Sequence, residues 1–133
     1  MNQLNLTSVA SNVTPPQRNT DLPILLILKE CYLLWHSFFV NLPRLERYAL
    51  GVRIDNLFIE ILEIALTAQY TKREEKRMFL QELSRKMDSL KFFITLLWET
   101  KGLDANKYAQ LSQKLATIGR MLGKWIQSIS IQT

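Results

Sequence analysis

The stretch YAQLSQKLATIGRMLGKWIQSI, residues 108–129, sets Tyr108, Leu111, Leu115, Ile118, Leu122, Trp125 and Ile129 at alternating steps of three and four. Such steps return each side chain to the same side of a 3.6-residue helix, so the segment reads as an amphipathic helix with one unbroken apolar stripe. A stripe of that width must be covered by other elements, and the rest of the chain supplies three more of its kind.

Moving toward the N-terminus, Phe79, Leu83, Met87, Leu90, Ile94 and Leu97 recur at helical spacing within about 72–101, and Gly102 is the expected stop. Before it, Leu50, Ile54, Leu57, Phe58, Ile61, Leu62 and Ala65 line one side of a helix at about 44–70, with Arg53, Asp55, Glu60, Glu63 and Thr67 tending to the other. Pro43 disfavours helical backbone at Leu42 and separates this helix from a first one at about 22–41. There Leu25, Leu28, Tyr32, Trp35 and Phe39 form one stripe, and Leu26, Ile27, Leu33, Leu34 and Phe38 form a second. A helix apolar on most sides needs several neighbours.

Asp21 and Pro23 suit the start of the first helix, and Asp104 or Asn106 suits the cap of the last, at about 104–130. Residues 1–20, rich in Asn, Thr, Ser, Gln and Pro, read as a flexible polar leader, and 21–133 as one domain. With no alternating strand pattern anywhere, the expected fold is all-α, an up-down antiparallel four-helix bundle.

The chain has 133 residues, 47% hydrophobic and 22% charged, enough for a single domain with its own core. The lone Cys31 cannot close an intramolecular disulfide and sits in an apolar run, which suits a buried reduced thiol in a cytoplasmic protein. The first twenty residues lack the basic start, apolar middle and cleavage site of a secretory signal. The stretch from Leu22 to Val40 approaches the length of a membrane span, but Lys29, Glu30 and His36 interrupt it.

Catalytic chemistry lacks its parts. One histidine cannot supply the Glu-x-x-His pairs of a di-iron bundle, and His36 reads as a helix-face or core residue. Glu60 and Glu63 resemble an ordinary solvated or lysine-paired helix face more than an acid and base. There is no phosphate-cradling glycine loop, no cysteine and histidine set with metal spacing and no nucleophile elbow. Neither metal nor cofactor is expected.

Charge is the informative feature. Seventeen Lys and Arg against 12 Asp and Glu leave a net +5, which favours a polyanionic partner. The excess lies in the second half: residues 71–101 carry eight bases and five acids, and the chain from Gly102 onward carries four bases and one acid. Residues 43–70 carry three bases and four acids. Lys72 and Lys76, Arg73 and Arg77, and Arg120 and Lys124 are each four apart and project from common helix faces, suited to a phosphate track or to an ordinary solvated face. Arg85 and Lys86 complete the candidate nucleic-acid set. Phe79, Phe92, Phe93 and Trp98 keep to the apolar positions, so contact is expected with backbone more than with bases.

Arg47 and Arg53 are candidates for interhelical or intersubunit pairs. Gly119 and Gly123, four apart, are expected to admit another helix closely. Arg120 between them is either an RNA contact or a buried residue paired with Glu46 or Asp55.

Two strings carry a family likeness: LPRLERYALGVRIDNLFIEILEIALTAQY at 42–70 and YAQLSQKLATIGRMLGKWIQS at 108–128, joined by KMDSLKFFITLLWETKGLDANKY at 86–108. ERYALGVRI and IGRMLGKW are their most specific parts. The sequence resembles the accessory variability determinant, or Avd, proteins of diversity-generating retroelements over about residues 38–128. A sister group, the four-helix proteins of ribosomal-RNA intervening sequences, shares a start like LERYALG but carries an Asn-Ile-Ala-Glu-Gly string that is absent here. Lys124, where relatives often have a second glycine after Gly123, and the polar leader depart from the pattern.

The resemblance implies a non-catalytic, basic homopentamer that binds the element's reverse transcriptase and template RNA, with DNA a further polyanion, and supports adenine-directed mutagenic reverse transcription. The surplus apolar surface of the first helix, with Leu25, Leu28, Tyr32, Trp35 and Phe39, together with Arg47, Arg53, Gly119, Gly123 and Trp125, is what packing and self-association would use. The alternatives are a bundle of the intervening-sequence type, a general basic RNA-binding module and a helical adaptor that contacts only protein.

Overall fold

A computed structural model describes residues 22–131, so the leader and Asp21 lie outside the described residues. Four helices make up the fold, and no strand occurs among the described residues. Helix α1 spans Pro23–Phe39 and α2 runs through Arg44–Glu46, a π-helical turn at Arg47–Gly51, and Val52–Tyr70. Helix α3 spans Arg73–Glu99 and α4 spans Ala105–Ile131. Each packs against its neighbour in sequence, and α1 also packs against α4, which closes the bundle. No helix among the described residues is long and apolar enough to cross a membrane.

The stripe of α4 buries Leu111, Leu115, Ile118, Leu122 and Ile129, with Tyr108 and Trp125 half-buried at its edges. In α2 the buried row is Ile54, Leu57, Phe58, Ile61, Ala65 and Ala68, and in α3 it is Leu80, Leu83, Met87, Leu90, Ile94 and Leu97. Leu80 therefore takes the inward place expected of Phe79, which is half-buried beside it.

Helix α1 corrects its expected register. Leu28 and Trp35 are buried, but the row they belong to is Ile24, Leu28, Cys31, Trp35 and Phe38, while Leu25, Tyr32 and Phe39 flank it half-buried. Both rows step by three and four, so only packing against α2 and α4 chooses between them. Leu33 and Val40 stand in solvent.

Trp35 centres the core: fully buried, it lies between Phe39 and Phe58 at ring distances of 5.6 and 6.0 Å, and its Nε1–H donates to Asp55 Oδ1 at 3.1 Å. Burial and then the neighbouring Asp55 push the Tyr32 phenol above its ordinary range. Burial likewise pushes Cys31 up to about 12 against a lesser opposing pull from Lys114. The folded protein therefore holds the thiol proton more tightly than the unfolded chain does. Stability is expected to be indifferent to this group below pH 9.0 and to fall as pH rises from there toward 12, a slope that Cys31→Ala should remove from urea midpoints.

Helix ends explain the connections. Pro23 occupies the first turn of α1, and the Leu22 N–H is satisfied by Gln69 Oε1 at 3.0 Å, which ties the start of α1 to the end of α2. Asp104 Oδ1 accepts from the Lys107 N–H at 2.8 Å and caps α4.

The stop after α3 is Lys101, not Gly102. Lys101 takes the left-handed conformation at φ 68°, with Lys101 N–H to Trp98 O at 2.9 Å and Gly102 N–H to Leu97 O at 2.8 Å. Gly102 is required by space instead, because a Cβ there would lie 2.3 Å from Cδ1 of buried Leu97. Gly102→Ala is expected to destabilise by about 1–3 kcal/mol and Lys101→Gly to stabilise by up to about 1 kcal/mol, both read from urea midpoints.

The π-turn is not legible in the apolar spacing. It adds a residue to one turn, which rotates Arg44–Glu46 about the helix axis relative to Val52–Tyr70. Gly51 is buried there, where a Cβ would come within 3.0 Å of Phe39 Cε1 and 3.1 Å of Leu42 Cδ1. On the outer side, Leu45 and Tyr48 expose 77% and 68% of their surface.

Candidate nucleic-acid interface

Antiparallel packing sets the first turns of α3 beside the last turns of α4, so the basic pairs of the two helices meet at one end of the bundle. Glu74 and Glu75 occupy the first turn of α3, where carboxylates favour the positive helix end. Their place among the bases thus has a helix-forming reason.

The bases at this end divide by what they touch. Arg73 Nη2 donates to Ser128 O at 3.0 Å and, more weakly, to Ile129 O at 3.5 Å, and Arg77 Nη2 donates to Ser130 Oγ at 2.8 Å. The last carbonyls of a helix lack partners within it, and Arg73 satisfies two of those of α4 while Arg77 holds the same end through the Ser130 hydroxyl. Lys76 Nζ lies 5.8 Å from the ring centroid of half-buried Trp125, a cation–π contact that leaves its protons open to a phosphate. Lys72 and Lys124 are exposed and form no ion pair among the described residues.

The remaining candidates lie elsewhere. Arg85 is exposed along α3, and Lys86 forms a 2.8 Å ion pair with Glu60 of α2. With those side chains 35% and 40% exposed, that pair contributes at most about 1 kcal/mol. Arg120 is exposed and donates to Thr117 Oγ1 at 3.2 Å, which corrects the buried-pair reading: Asp55 serves Trp35, and Glu46 is not its partner. The structure therefore gathers Lys72, Arg73, Lys76 and Arg77 at this end, places Lys124 at the same end on the side toward the start of α1, and sets Arg85, Lys86 and Arg120 farther along the helices.

Gly119 and Gly123 face an open groove between α3 and α4, and no helix among the described residues packs closely onto them. A Cβ at Gly123 would meet nothing within 4 Å, and one at Gly119 only Lys91 Nζ at 3.2 Å. Arg53 lies over Phe93 of α3 at 5.9 Å, an interhelical contact. Arg47 donates to Leu42 O at 3.1 Å, and its buried Nε has no partner among the described residues. His36 is exposed on α1 near Tyr32. No group of three or more metal-binding side chains occurs among the described residues.

Apolar spacing alone understates aromatic exposure. Phe92 stands in solvent, and Trp98, partly exposed, stacks on Tyr108 at 4.4 Å with ring planes 2° apart, the Tyr108 hydroxyl held by Thr95 Oγ1 at 2.9 Å. This stack is at the end of the bundle opposite the basic cluster, where Lys107 lies over Phe38 at 5.5 Å. Trp98 and Tyr108 come from different helices across a turn, so no single-helix periodicity shows them together.

The profile of the bAvd-like family matches residues 26–129, from the second turn of α1 to the last turns of α4. The chain belongs to the bAvd-like family. No curated protein and no solved structure matches it significantly. The matched region includes all the bases at the basic end and every buried residue of the core except Ile24.

Proposed function

We propose that this Avd-type protein is a non-catalytic, cytoplasmic subunit that assembles as a homopentamer. In this reading it binds the reverse transcriptase of its retroelement together with the template RNA, and supports adenine-directed mutagenic reverse transcription. The observation that carries the nucleic-acid part is that Lys72, Lys76 and Lys124 lie at one end of the bundle and form no ion pair among the described residues. Lysine ammoniums held on rigid helices bind RNA backbone as point charges without reading sequence. Copies in a ring add their fields and raise the local potential for RNA. Polymer synthesis belongs to the partner, and the bundle supplies position and charge.

The outward apolar residues of α2 favour a second reading in part, a helical adaptor that contacts only protein. Co-purification of the tagged protein with its cognate reverse transcriptase and template RNA, weighed by light scattering with and without nuclease, decides between them. A pentamer retaining both partners supports the accessory role, retention of the polymerase alone after nuclease and at low salt supports the adaptor, and binding of neither overturns both.

A further inference from the structure

Two surfaces of the bundle are left unpartnered among the described residues. On α2, Val52, Ile59 and Leu66 recur at seven-residue intervals on the solvent side, exposing 39%, 41% and 38%. Seven residues are two helical turns, so these side chains form a ridge of knobs about 10.5 Å apart. An apolar ridge along the outer side of a helix is a protein-contact feature.

On α4, Ala109, Ser112, Ala116, Gly119 and Gly123 recur at alternating steps of three and four. The last three, with Ser84, Asp88 and Lys91 of α3, line the groove in which Gly119 and Gly123 lie open.

We infer that the α2 ridge of one copy packs in parallel against the α3–α4 groove of the next, joining copies through two different faces. This rests on the self-association reading above. In one register Val52 meets Ala109, Ile59 meets Ala116 and Leu66 meets Gly123, a large side chain on a small one each time. The same register sets Glu63 against Arg120. Glu63 is exposed with no ion pair among the described residues, and Arg120 has only the Thr117 hydroxyl. The charge balance agrees: residues 43–70 carry four acids to three bases, and the chain from Gly102 onward four bases to one acid.

The heights agree as well. In an up-down bundle α2 and α4 run in the same direction, both antiparallel to α1. The Trp35–Asp55 bond sets residue 35 level with 55, and therefore 38 with 52, while Lys107 over Phe38 sets 38 level with 107. Val52 and Ala109 of one chain thus lie within about 3 Å of the same height, two residues at 1.5 Å each. Rotation about an axis along the bundle brings ridge and groove together with little slide, so successive copies close into a ring and do not climb as a filament.

Ile59→Cys and Ala116→Cys test the pairing under mild oxidation, with fully buried Cys31 as the internal control. Neither variant alone is expected to cross-link, their equimolar mixture is expected to give a disulfide-linked dimer, and the double variant a ladder that ends at the copy number of the ring. Dimers from Ile59→Cys alone would mean that like faces meet and would overturn the pairing, as would an assembly of unchanged mass whose mixture forms no cross-link. Should the cysteine variants fail to assemble, charge reversal decides: Glu63→Arg and Arg120→Glu are each expected to weaken association about tenfold, and the double reversal to restore it. Single reversals without effect, or no restoration, would overturn it. A wild-type protein that is monomeric at micromolar concentration would instead remove the self-association reading, and the pairing with it.

Discussion

Trp35→Ala is expected to cost about 3–5 kcal/mol, the largest loss from any single substitution in this chain. Trp35 is the largest fully buried side chain, stacked between Phe39 and Phe58 at the junction of α1 and α2. Truncation removes its apolar area from the core, opens a cavity the rigid bundle cannot fill, and strips the Asp55 carboxylate of its indole donor. Against a total of about 5–15 kcal/mol for a domain of this kind, such a loss leaves a marginal fold.

Two controls apportion the effect. Trp35→Phe keeps a ring in the stack and is expected to cost about 1–3 kcal/mol, while Asp55→Asn retains a carbonyl acceptor and should cost less than Asp55→Ala. Urea unfolding monitored by far-UV circular dichroism reads all of them without depending on indole fluorescence. A loss below about 1 kcal/mol for Trp35→Ala would mean that this aromatic row is not the centre of the core.

Replacing Lys72, Lys76 and Lys124 together with Gln is expected to lower affinity for single-stranded RNA by about two orders of magnitude at about 0.1 M salt. Each phosphate contact contributes a log–log salt slope of about 0.7 for single strands, so three remove about 2.1 from the slope and a similar number of decades at that concentration. Stability should change by less than about 1 kcal/mol, since only Lys76 has a contact to lose, its cation–π interaction with Trp125.

Arg73→Gln with Arg77→Gln should do the reverse. Those guanidiniums hold the end of α4, so their loss is expected to cost about 1–2 kcal/mol of stability and to change the RNA slope less. Filter binding across a salt series, beside urea midpoints, separates the two sets. An unchanged slope in the lysine variant would exclude this end of the bundle as the RNA surface.

Much of the basic end was legible in the sequence because charge excess and four-residue spacing are local properties. The division of labour within it was not. Arg73 and Lys72 are adjacent, yet one caps a neighbouring helix and the other stands in solvent, a difference made by the end of α4, 55 residues away. Lys86 and Arg120 show the same dependence: Glu60 of the neighbouring α2 pairs with the one, and the expected acidic partners are absent from the other.

The sequence by itself determined four amphipathic helices, their boundaries to within a few residues, most of the inward rows of α2, α3 and α4, though not Leu80 in the place expected of Phe79, and the sign of the surface field. Helical period and charge are fixed by residues a turn or two apart, so no tertiary contact is needed to read them. Only the tertiary structure decided which row of α1 faces inward, because a helix apolar on most sides has no amphipathic preference until its neighbours choose one. Lys101 takes the left-handed stop because Gly102 is needed for clearance over Leu97, and the π-turn displaces Leu45 and Tyr48 to the outside. These outcomes depend on close packing between segments distant in sequence, and spacing along one helix carries no information about that packing.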